Sequence, residues 1–127
     1  MQIENKTIKP NEKDLLEKIF SKKFQYREEI INQINNAEIE RTYTDFYLSL
    51  KFKIGSEIPP VKTDIRVPVE MRIYKENQVP VQVFLHIVHG YVSEVEVFNA
   101  DSSKIIGGIN FKNIKKIEIL INPSLIL

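Results

Sequence analysis

Apolar and polar positions divide the chain into two regimes. Up to Asn35 they recur at helical spacing. Leu15, Leu16, Ile19 and Phe20 mark one face, and Ile30, Ile31 and Ile34 mark a second. Asn11 is the expected cap of the first helix, with Asp14 three residues on at the capping-box position. The second helix is expected from Gln25 to Asn35, with Asn35-Asn36 as its stop. After Ala37 the period becomes two. Ile39, Arg41 and Tyr43 suggest a short strand. Phe46, Leu48, Leu50, Phe52 and Ile54 alternate with Tyr47, Ser49, Lys51 and Lys53, as a strand with one buried face does. Gly55 to Lys62, with Pro59-Pro60, reads as a loop. Ile65, Val67, Val69, Met71 and Ile73 form the next alternating run. Pro68 cannot donate a ladder hydrogen bond, so that strand is expected at an edge or with a bulge. Ile117, Ile119 and Ile121 give a last strand, and Gly107-Gly108 a flexible break before it.

The stretch from Val79 to Phe98, VPVQVFLHIVHGYVSEVEVF, is two alternating runs joined through a glycine, and predicts a β-hairpin. Side-chain polarity constrains its turn. A loop of His89-Gly90 alone sets Leu85 against Glu94 and Val83 against Glu96, with both carboxylates on the apolar face. An unpaired buried carboxylate is prohibitively costly. A loop of Val88-His89-Gly90, with Gly90 left-handed, avoids this. Val83 then opposes Val95, and the polar face carries Gln82, Phe84, His86, Val92, Glu94 and Glu96. His86 and Glu94 are expected to interact diagonally.

Alternation with one polar face implies antiparallel sheet. Helices first and strands afterwards imply an α+β fold. The expectation is a single domain over residues 1–127, with two N-terminal helices packed on an antiparallel β-meander of five to six strands.

Composition narrows the chemistry. The absence of cysteine excludes disulfides, zinc–thiolate sites and thiol catalysis. Eighteen basic and 17 acidic residues leave a net charge of +1, evenly spread along the chain. Bulk charge therefore favours neither nucleic acid nor an anionic membrane. The densest basic patch is Lys112, Lys115 and Lys116, with Phe111 nearby, well short of a nucleic-acid module. No apolar run approaches the ~20 residues of a membrane span, and the first residues lack a signal-peptide core, so cytoplasmic residence is the expectation. A phosphate-binding glycine loop, a nucleophile elbow and a histidine pair at helical spacing are all missing.

What remains is His86 with Glu94 and Glu96. One imidazole and two carboxylates have the types needed to bind a metal or share a proton. A catalytic zinc site commonly takes two histidines and a carboxylate, and His89 lies in the turn. The plainer reading is a pair of solvated strand carboxylates with His86 paired to one of them. No catalytic residue, metal or cofactor is assigned.

Residues 85–105, LHIVHGYVSEVEVFNADSSKI, resemble a family of small bacterial domains of unknown function. Its pattern of Leu-His, Gly, Glu-Leu-Glu-Ile and an Asp-Gly turn is met by Leu85-His86, Gly90, Glu94-Val95-Glu96-Val97 and Asp101. Val67-Pro68-Val69-Glu70 resembles its upstream strand. Ser102 replaces the expected turn glycine. The resemblance implies a fold and a bacterial origin, and supplies no catalytic residue.

Small bacterial α+β proteins without a catalytic signature resemble immunity proteins, which bind and neutralise a delivered toxin. The leading functional expectation is therefore not an enzyme but a toxin-neutralising protein, acting by occlusion on a cognate protein toxin, a nuclease among the candidates. The contact patch is expected at Phe84, His86, Glu94 and Glu96, with Tyr91 at the turn. No direct nucleic-acid or membrane partner is expected, and the chain should be a monomer or weak dimer. The alternatives are a small enzyme or ligand-binding domain centred on His86, Glu94 and Glu96, and an oligomerising module that pairs through the Ile65–Ile73 edge.

Overall fold

The computed structural model describes residues 1–105 and 111–127. The expected Gly107-Gly108 break lies outside them. Two helices, α1 (Pro10–Ile19) and α2 (Arg27–Asn35), precede strands β1 (Glu38–Tyr43), β2 (Tyr47–Lys53), β3 (Val69–Lys75), β4 (Val81–Val88), β5 (Tyr91–Asn99) and β6 (Ile114–Ile121). A short 3-10 turn, Pro123–Leu125, follows. The fold is α+β with a six-stranded antiparallel sheet.

Helix α1 starts one residue before the expected cap, because Pro10 is pre-shaped for the first helical position. Glu12, not Asp14, closes the cap, its Oε1 accepting from the Lys9 N–H at 3.0 Å. The Glu12 carboxylate is buried, and it also takes Arg41 Nε at 2.9 Å and Nη2 at 3.0 Å. This pair pins α1 to edge strand β1 and raises the Arg41 pKa, chiefly through the hydrogen bond to Glu12. Helix α2 begins at Arg27 because Tyr26 takes a left-handed conformation (φ 73°).

The strand order is β1-β2-β5-β4-β3-β6, so the β4–β5 hairpin inserts between β2 and β3. Strand β3 is therefore interior, flanked by β4 and β6. This corrects the edge expected from Pro68. The ladder begins at Val69, just past the proline, which needs no donor there. Residues 65–67 lie outside the strand, although the Arg66 carbonyl accepts from the Ile87 N–H. The Ile65–Ile73 segment offers no free edge. The edges are β1, with Glu38, Glu40 and Arg41, and β6, with Lys115 and Lys116, and such charges discourage strand addition.

Both helices pack on one face of the sheet. Leu15, Leu16, Ile19, Ile30, Ile31 and Ile34 meet Leu50, Met71, Ile73, Val83, Leu85, Ile87, Val95 and Val97 in a continuous core. Each such aliphatic side chain contributes about 1.5–3 kcal/mol on burial. A one-residue slip would turn these positions outward, so the core fixes the register of the polar positions on the opposite face.

Candidate functional site

The β4–β5 hairpin differs from expectation in its turn and agrees in which face is polar. The loop is His89-Gly90 alone, both residues left-handed (φ 51° and 81°), the conformation of a type I′ turn. Val88 pairs with Tyr91 and Ile87 with Val92, and then the register shifts so that His86 faces Glu94. Ser93 is the extra, bulged residue. The bulge turns Glu94 and Glu96 outward, the role the sequence reading gave to a longer loop. Val92, expected on the polar face, is buried. Gly90 is fixed by more than its φ. A Cβ there would lie 2.6 Å from the Val61 carbonyl oxygen.

His86, Glu94 and Glu96 share the outer sheet face with Phe84. His86 lies directly across from Glu94, but its Nε2 bonds diagonally to Glu96 Oε1 at 2.9 Å. Glu94 is held instead by β2, where the Ser49 hydroxyl donates to its Oε2 at 2.5 Å. The two carboxylates are thus drawn to opposite neighbours. The His86 and Glu96 side chains are 28% and 40% exposed, so their pairing is worth under about 1 kcal/mol and leaves both groups accessible.

Phe84 is the centre of this face. Glu96 lies opposite it on β5 and Glu70 opposite it on β3. Its ring meets His86 edge-on at 6.0 Å and Phe98 at 5.6 Å. Tyr91 stands apart at the turn, with its hydroxyl committed to the Ile58 carbonyl at 2.8 Å. Among the described residues, no group of three or more His, Cys, Asp or Glu side chains is arranged to hold a metal ion.

Glu70, Arg72, Gln82 and Phe98 are not among the expected contact residues. They line an open groove of about 430 Å³ beside Phe84. In sequence they are ordinary outward positions of alternating strands, and only the pairing of β3 with β4 brings Arg72 against Gln82. At the far edge, Glu118 on β6 accepts from the Tyr74 hydroxyl at 2.5 Å. That bond, followed by weaker effects of Lys116 and Arg72, lowers its pKa.

A family model described as a domain of unknown function (DUF6984) matches residues 5–109. The chain belongs to this family. The match covers both helices, strands β1 to β5 and the whole of the His86–Glu96 patch, so the DUF6984 domain includes the site. No curated protein matches the chain, and no solved structure does. Among the described residues, no helix is long and apolar enough to cross a membrane.

Proposed function

We propose that this DUF6984 protein is a stoichiometric binding protein that docks the outer face of its sheet on a basic protein surface. Its specific form would be a bacterial immunity protein, resident in the cytoplasm, that covers the active site of a cognate toxin. The observation that carries the reading is the setting of Phe84, an aromatic ring with Glu96 across one strand pair and Glu70 across the other. Glu94 adds a third carboxylate on the same face. Carboxylates around an aromatic face suit a partner's arginine or lysine, which gains ion pairing and cation–π attraction together. A nuclease toxin must present basic groups to its substrate, and an acidic patch of this kind speeds encounter with them. The helices occupy the opposite face, so the outer face can supply the roughly 800 Å² per partner that a stable complex needs.

The test is co-expression with a toxin encoded beside the gene. The wild-type chain should restore growth and inhibit the purified toxin at one-to-one stoichiometry. Phe84→Ala combined with Glu94→Lys should abolish protection while the variant remains folded. Full protection by that double variant would overturn the assignment of the patch.

A further inference from the structure

The groove beside Phe84 has two unlike walls. Phe84 and Phe98, with centroids 5.6 Å apart and planes tilted by 49°, form an aromatic wall. Glu70, Arg72 and Tyr74, all from β3, form the polar one. Gln82 lies between them.

The charges on the polar wall are held apart. Arg72 is directly opposite Glu118 and two residues from Glu70 on the same strand face, yet it forms no ion pair with either among the described residues. Glu118 is engaged instead by Tyr74 and Lys116. The Arg72 Nε donates to Gln82 Oε1 at 3.0 Å, which draws the guanidinium toward β4 and the groove. Its terminal nitrogens have no hydrogen-bond partner among the described residues, and neither does the Glu70 carboxylate. Gln82 is only 6% exposed, and its amide nitrogen has no partner either, since the bond from Arg72 fixes the oxygen end.

From this geometry we propose a binding site for a zwitterionic α-amino acid with an aromatic or large apolar side chain. The ligand carboxylate would pair with the Arg72 guanidinium, the ligand ammonium with Glu70, and the side chain would lie against Phe84 and Phe98. A small shift of the surrounding side chains would let the Gln82 amide donate to the same carboxylate. A neutral zwitterion suits the site better than a phosphate-bearing ligand, because Glu70, Glu96 and Glu118 would repel added negative charge. The site shares Phe84 and Glu70 with the docking surface but does not rest on that reading, since Arg72, Gln82 and Phe98 distinguish it.

The test is a titration of the isotope-labelled full chain, followed by backbone amide shifts. The probes are L-phenylalanine, 3-phenylpropanoate (no amine), phenethylamine (no carboxylate) and guanosine. L-Phenylalanine should give saturable shifts over residues 70–74, 81–84 and 98, with a Kd on the order of 1 mM for so open a site. Each fragment lacking one charge should bind about tenfold more weakly. Arg72→Gln should weaken phenylalanine binding while sparing phenethylamine, and Glu70→Gln should weaken it while sparing 3-phenylpropanoate. Absence of saturable shifts, equal binding of phenylalanine and its fragments, or tighter binding of guanosine would each overturn the proposal. The fragment series on the wild-type chain decides it even if a variant fails to fold.

Discussion

Gln33 of α2 reaches beneath the β4–β5 turn and accepts the Val92 N–H on its side-chain oxygen at 2.9 Å. Its amide nitrogen donates to the Gly90 carbonyl at 3.0 Å and to the Pro59 carbonyl at 3.2 Å. One fully buried glutamine thus holds the tight turn, the residue before the bulge and the loop that crosses the turn. The polar face is set from the opposite side of the sheet. Gln33→Leu leaves the Gly90 carbonyl and the Val92 N–H without this partner in a buried setting. A loss of about 2–4 kcal/mol is expected, read as a lower urea midpoint with unchanged slope.

Ser93 is the residue that the ladder does not use. Without it, Val92 and Glu94 become adjacent and still face Ile87 and His86, their present partners. Deletion of Ser93 should therefore be tolerated, at a cost of about 1 kcal/mol or less, and should keep Glu94 and Glu96 outward. Thermal unfolding and amide spectra of the deletion variant check this. A collapse of the fold would show that the bulge itself is required.

These two residues mark how far the sequence could be read. The helices, the alternating strands and the polarity of the hairpin faces follow from apolar spacing. Unbroken period two from Tyr91 onward does not hold, and it led to the longer loop. Val92 and Val95 are apolar at a spacing of three, which a strand satisfies only with an inserted residue, so that spacing was the available sign. Strand order was not legible in the same way, because β2 pairs with β5 through side chains 45 residues apart, such as Ser49 and Glu94. Pro68 marked the start of a strand, and its sequence alone could not separate that from an edge. The groove depends on the match of Arg72 with Gln82, which neither strand encodes by itself.

Ser102 takes a left-handed conformation (φ 64°) at the position where the sequence pattern expects glycine. Ser102→Gly should stabilise the protein by about 0.5–1 kcal/mol, since relief of the left-handed strain outweighs the added freedom of the unfolded chain. Chemical denaturation checks this, and a destabilised variant would contradict it.

Glu118 has a lowered pKa, mainly because Tyr74 donates to it. Tyr74→Phe should raise that pKa toward the ordinary glutamate value, as measured by carboxyl-carbon NMR titration. The sign follows from linkage. A carboxyl with its folded pKa below its unfolded value stabilises the protein above the unfolded pKa, and loses that contribution as pH falls through the folded one. The variant should therefore show a smaller loss of stability on acidification through the carboxylate range.

The central claim is that Phe84, with the carboxylates around it, meets a protein partner. The most direct measurement is cross-saturation NMR of the labelled chain bound to the proposed partner, a toxin sought among the neighbouring genes. Signal loss centred on Phe84, His86, Glu94 and Glu96, with the outward residues of β3 at its margin, is the predicted result. Signal loss confined to α1 and α2, with these strands unaffected, would contradict it.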